Sequence, residues 1–380
     1  MKINLNKLSK LFILTIVICN FSYGNNLNST ESLKKYYGSF FNIGAAINEE
    51  IILGYDDESR NIVETQFNSI TPENSLKWMF IQPSPNSFNF TAADKYVNLG
   101  INNNMHIVGH ALVWHSQLAD FMQNIKSKAE MTKHFENHIN TVVSRYKGKI
   151  NAWDVVNEAF NEDGSMRESI FYKFLGKNYI EKAFKLAHKA DPNVELIYND
   201  YNLYKKGKRD GVIKMVKLMQ SKGIKIDGVG VQAHWSLNQP SLNQIEQIIL
   251  DISELGVDVM FTELDISVLP NPWEQVGAEV SQNFSRFEGD PKMDPYTDKL
   301  PKSVQIKLAK RYKDIFQLFI KYSDKISRVT FWGVMDKHSW LNDFPIKGRT
   351  NYPLLFNRTY QEKEAYKALI ELVSTNKINH

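Results

Sequence analysis

The chain has 380 residues, with 46 lysines and arginines against 42 aspartates and glutamates, a formal net charge of +4, 43% apolar residues and a single cysteine. That charge balance calls for neither nucleic acid nor an anionic membrane as a partner. The apolar fraction supports a sizeable core, and one cysteine rules out an internal disulfide framework.

The first 24 residues read as a secretory signal: Lys2, Lys7 and Lys10, an apolar stretch over 11–21, then Ser22 to Gly24. The apolar part is too short to span a bilayer. Cleavage after Gly24 removes three lysines and no acid, so the charge falls from +4 to +1, and the mature chain has no transmembrane segment. Its address is then secreted or periplasmic. Reading Cys19 as a lipid-attachment site would instead tether the chain to the outer surface, but Val17 and Ile18 are bulky where such sites hold small residues.

Buried-strand patterns recur at 41–46, 67–71, 106–114, 152–157, 195–199, 228–234, 259–264 and 328–333. Helical spacing fills the intervals, as at 93–103, 133–146, 179–190, 210–222, 242–255 and 306–322. Strand followed by helix, eight times over, predicts an α/β chain closed into a single (β/α)8 TIM barrel over 25–380, with its core at about 39–370. An open doubly wound sheet lacks support, because no Gly-rich phosphate turn follows the first strand. No linker, repeat or low-complexity tract marks an appended module. The interval 269–302 holds Pro270, Pro272, Pro291, Pro295 and Pro301, so it cannot be one helix, and it follows a strand whose C-terminal end faces the barrel mouth.

Two of the apolar runs stop in glutamate: Ala152 to Glu158 and Val259 to Glu263. Barrel enzymes keep their chemistry where strands end. Taken singly, such a glutamate reads equally well as a helix cap. Two carboxylates from strands three places apart round the ring can face each other across the mouth, the equipment for cleaving a glycosidic bond. The roles need opposite ionisation: a charged Glu263 to attack, and a protonated Glu158 whose pKa the charge on Glu263 raises. Period-two geometry turns His110 and Trp114 to one face, and Gln232 and His234 to another, placing His234 beside Glu263. His106, His110 and His115 do not share a face and have no acidic cluster with them, so no metal and no cofactor is expected.

Seven segments in order, FNSITPENSLKW (67–78), HIVGHALVWHSQ (106–117), WDVVNEA (153–159), YNDYN (198–202), GVGVQAH (228–234), FTELDIS (261–267) and FWGVMDKHSWL (331–341), resemble glycoside hydrolase family 10, the barrel xylanases. The resemblance implies a retaining endo-β-1,4-xylanase with Glu158 as acid/base and Glu263 as nucleophile. It also implies Asn157 on the sugar 2-hydroxyl, with His234 and Asp265 orienting Glu263. Glu73, Asn74, Lys77, His110, Trp114, Gln117, Tyr201 and Gln232 would line the sugar subsites, with Trp332 and Trp340 packing on sugar faces. The implied partners are xylan and xylo-oligosaccharides, and the implied state is a monomer. The sequence Leu118-Ala119-Asp120-Phe121 departs from the proline and tryptophan common in the family, which bears on the loop at the cleft edge. The rival readings are a glycan-binding barrel without activity, a retaining glucanase or mannanase, and a metal-dependent deacetylase.

Overall fold

In the computed structural model, which describes residues 31–377, eight parallel strands form a closed ring. They are β1 (Asn42–Ile47), β2 (Ser69–Pro72), β3 (His106–Trp114), β4 (Ala152–Asn157), β5 (Glu195–Asp200), β6 (Gly228–Val231), β8 (Asp258–Ser267) and β9 (Ile326–Phe331). Each pairs with the next, β6 pairs with β8, and β1 closes the ring on β9. A short additional strand, β7 (His234–Ser236), pairs with β8 alone, through His234 and Asp265. The strands are buried almost without interruption, because side chains fill the barrel inside and helices cover it outside. The expected barrel is therefore present. The signal segment and Cys19 lie outside the described residues, and no helix among the described residues is long and apolar enough to cross a membrane.

Helices Lys128–Arg145, Lys206–Ser221 and Lys302–Lys321 begin four or five residues before the apolar spacing predicts. Their first turns are polar and carry no stripe. Ser127 marks one such start, its side chain accepting a hydrogen bond from Glu130 N–H at 3.1 Å. Interval 269–302 holds no α-helix before its last residue, only the 3-10 turn Ser285–Phe287, and the next helix begins at Lys302, directly after Pro301.

Two expectations need correction. The strand predicted over 228–234 breaks after Val231, where Ala233 takes a positive φ of 65°, and pairing resumes at His234. Gln232 and His234 reach the same cavity through that turn and not through strand alternation. Glu263 does not sit where its strand stops, since β8 runs on to Ser267. Its ring partners stop earlier: β6 pairs as far as Phe261, and β9 as far as Leu264. Glu263 thus stands at the barrel rim while β7 prolongs its strand.

Candidate active site

Glu158 follows the last residue of β4 and has a φ of 58°, a left-handed conformation that a glutamate rarely adopts. Its N–H donates to Asn199 O at 2.9 Å, and the following N–H, of Ala159, donates to Tyr198 Oη at 2.9 Å. The turn aims the side chain into a cavity of about 450 Å³ that Glu263 also lines. Both carboxylates are almost entirely buried, 4% and 5% exposed, so neither is solvated as an ordinary surface acid would be.

Two amides tie the carboxylates together. Asn199 Nδ2 donates to Glu263 Oε1 at 2.8 Å and to Asn157 Oδ1 at 2.9 Å, and Asn157 Nδ2 donates to Glu158 Oε1 at 3.2 Å. Asn199 fits there because position 230 on the neighbouring strand is glycine. A Cβ on Gly230 would stand 2.3 Å from Asn199 Oδ1 and 2.8 Å from the Thr262 methyl. Thr262 Oγ1 donates to Asn199 Oδ1 at 2.6 Å and so fixes the amide the right way round.

Each carboxylate also has partners of its own. Glu158 accepts from Trp114 Nε1 at 2.7 Å and from Gln232 Nε2 at 2.9 Å. Glu263 Oε2 lies 3.0 Å from His234 Nε2, whose Nδ1 lies 3.0 Å from Asp265 Oδ2. Asp265 Oδ2 accepts in turn from Trp340 Nε1 at 2.8 Å.

These surroundings push the two acids in opposite directions. Burial drives Glu158 up to about 7, with Gln232 and Trp114 opposing and the charge on Asp200 adding to it. The charge on Glu263 is the smallest of these influences. The proton on Glu158 is therefore held mainly by desolvation, and the charge on Glu263 raises it as expected but by a smaller amount. Burial pushes Glu263 up as well, but the bond from His234, the electrostatic field of His110 and His234, and the Asn199 amide outweigh it, leaving the carboxyl below its ordinary range. Burial would lower His234, yet Asp265 and then Glu263 raise it to about 10, which favours the imidazolium between them; burial pushes Asp265 itself up.

The family model for glycosyl hydrolase family 10 matches residues 32–372. The chain belongs to that family. The endo-1,4-beta-xylanase A of Xylanibacter ruminicola is 41% identical over 346 residues, covering 90% of this chain and 93% of that protein. The beta-1,4-xylanase of Dictyoglomus thermophilum is 36% identical over 374 residues, covering 97% and 99%. The solved structure of a GH10 endoxylanase retrieved from sugarcane soil metagenome matches with a TM-score of 0.84 and 43% identity, covering 90% of this chain and 99% of that one.

Within this family 10 barrel, Glu73, Asn74, Lys77, His110, Trp114, Gln117, Gln232, Trp332 and Trp340 line the same cavity as Asn157, Glu158, His234 and Glu263. Lys77 Nζ donates to Asn74 Oδ1 at 3.0 Å and lies 4.9 Å from the centre of the Trp114 ring. Glu73 beside it is raised to about 7 by burial. His110 Nδ1 is 2.8 Å from Asp154 Oδ2. Asp265 lies behind His234, completely buried, and does not line the cavity.

Tyr201 also stays out of the cavity lining, against expectation. Its hydroxyl accepts from Arg167 Nη2 at 2.8 Å, and Lys208 Nζ lies 3.4 Å from the centre of its ring. Motif reading passed over Asn199, which stands in the same YNDYN segment, and over Ala278 and Val280, which reach the cavity from the Pro-rich loop and carry no pattern. His106, His110 and His115 do not converge: His106 meets Arg328 at 3.3 Å while His110 is held by Asp154. Among the described residues, ligating atoms within 4.8 Å of one another occur at Glu50, Asp56 and His338, none of which lines the cavity.

Proposed function

We propose that this family 10 glycoside hydrolase is a secreted endo-β-1,4-xylanase acting on internal bonds of xylan through a covalent glycosyl-enzyme. The observation that carries the reading is the pair Glu158 and Glu263, bridged by Asn157 and Asn199 in one cavity and displaced in opposite directions from the ordinary carboxylate range. The charged Glu263 attacks the anomeric carbon while the protonated Glu158 delivers its proton to the leaving oxygen, then takes one from water in the second step. Asn157 stands between the two and meets the 2-hydroxyl where charge develops on the sugar ring. Support for xylose comes from the two curated relatives, both called xylanases. The signal-like first 24 residues support export, and the chain acts as a monomer without cofactor or metal.

Retention follows from this division of roles. Proton NMR of the first product from a β-linked xylo-oligosaccharide is expected to show the β-anomer. An initial α-anomer would mean inversion, with water and not Glu263 as the attacking group.

The pH profile follows from the same displacements. Hydrolysis of xylan needs Glu158 protonated, so kcat/KM is expected to fall as pH rises through about 7, where Glu158 loses its proton. It needs Glu263 ionised, and that carboxyl is held low, so the acidic limb is expected below the ordinary glutamate value. A basic limb several units above 7 would remove Glu158 from the acid role.

Xylose lacks the hydroxymethyl group that glucose carries at C5, and Gln117 and Trp340 supply the crowding that excludes it. An aryl xylobioside should be preferred to the matched cellobioside by ~10- to 200-fold in kcat/KM. Trp340 also donates to Asp265, so truncating it would disturb His234 as well. Gln117→Ala is the cleaner probe and should narrow the preference. Equal or better efficiency on the cellobioside by the unaltered enzyme would leave a retaining glucanase.

A further inference from the structure

Arg167 meets the candidate acid from behind. Its Nε donates to the carbonyl oxygen of Glu158 at 3.2 Å, its Nη1 to Glu279 Oε2 at 2.6 Å and its Nη2 to Tyr201 Oη at 2.8 Å, so all three nitrogens are engaged. Its own N–H donates to Ala159 O at 2.8 Å, folding segment 159–167 back on the turn that carries Glu158. Glu279 comes from the Pro-rich loop, 112 residues away. It is no dangling surface acid: Ser281 donates to Oε1 through both its N–H, at 3.2 Å, and its hydroxyl, at 2.8 Å, and Tyr201 Oη reaches Oε2 at 3.3 Å. The ion pair is mostly shielded, its side chains 18% and 14% exposed. The same loop comes close a second time, where Gly277, at a φ of 50°, packs so near Asn202 that a Cβ there would clash with its amide.

We infer that Arg167 and Glu279 are positioning residues for the acid/base step, and that loop 269–302 holds the Glu158 turn in its left-handed conformation from across the cleft. This rests on the assignment of Glu158 as the proton donor. The turn is strained, and a strained backbone persists only where its surroundings over-determine it. Glu158 N–H and Ala159 N–H are held from β5, by Asn199 O and Tyr198 Oη, while the carbonyl of Glu158 is held by Arg167. With Arg167 gone, that carbonyl loses its charged donor and the carboxyl drifts from the leaving oxygen. Glu263, on β8, has no bond to Arg167 and keeps its place.

The test is leaving-group dependence on a series of aryl β-xylobiosides, from phenyl, which needs a proton, to dinitrophenyl, which departs unaided. Arg167→Met should lose ~10- to 100-fold in kcat/KM on the phenyl glycoside and only about threefold on the dinitrophenyl one, because a small misplacement of the acid costs rate only where the acid is used. Arg167→Lys, which keeps a charged donor, should recover part of that loss. Glu279→Gln swaps one atom in place, so it should fold, and it should show a smaller loss with the same split. Parallel losses on both glycosides in both variants, or no loss in either, would overturn the inference. Failure of the unaltered enzyme on xylan would instead overturn the proposed substrate, and the same leaving-group series on the aryl glycoside it does cleave would judge Arg167 and Glu279.

Discussion

Replacing Glu263 by Ala should remove turnover on every substrate, activated aryl glycosides included, by on the order of 10⁴-fold or more in kcat. No other carboxylate among the cavity-lining residues can substitute. Glu158 is needed protonated, and burial pushes Glu73 up to about 7, so it too is held protonated at the pH where Glu158 keeps its proton. The loss should not depend on the leaving group, since every substrate, activated or not, must be attacked at the anomeric carbon for its leaving group to depart. Substantial activity of Glu263→Ala on a dinitrophenyl glycoside, without added anion, would move the nucleophile elsewhere. A matched His234→Ala variant should lose less, because it removes the partner that keeps Glu263 charged and leaves the carboxylate in place.

Replacing Glu158 by Ala should separate substrates sharply. On xylan, whose leaving sugar hydroxyl must be protonated, the loss should be ~10²- to 10⁴-fold, the usual worth of a positioned general acid. A dinitrophenyl glycoside should still form the glycosyl-enzyme, which then accumulates because no base activates water. Added azide should speed breakdown of that intermediate and yield a glycosyl azide, a small anion needing no base. Steady-state rates with and without azide, and the anomer of the azide product, check the assignment. Equal losses on both substrates, with no response to azide, would end the role given to Glu158. Because burial raises Glu158 more than the charge on Glu263 does, replacing Glu263 by Gln should lower the pKa of Glu158 only slightly and leave it raised. Removing Trp114 or Gln232, whose bonds oppose the shift, should raise it further.

The barrel was legible in the chain because each strand is a short apolar run buried on both faces, a local property that needs no knowledge of neighbours. The strands at 106–114 and 152–157 have the bounds predicted for them, and Glu158 could be placed at the rim because it follows directly on one of them. Helix starts were less legible, since a polar first turn such as Lys128 to Glu130 carries no stripe. Within the site, Glu158, Glu263, His234 and Gln232 stand in motifs whose spacing survives in one dimension. Asn199 passed unnoticed in such a motif, as its value lies in spanning Asn157 and Glu263 from the strand between, in space that Gly230 leaves open.

The architecture and the two glutamates could be read in one dimension, because each apolar run and the glutamate at its polar end are neighbours in the chain. That β8 runs past Glu263, that Tyr201 turns to Arg167, that Trp340 is tied to Asp265, and that Glu279 meets Arg167 from 112 residues away is visible only in the folded barrel. Those facts are pairings between distant segments, and the pKa displacements follow from how deeply the folded barrel buries each group. No local pattern encodes either, since desolvation and partner geometry exist only once the ring has closed.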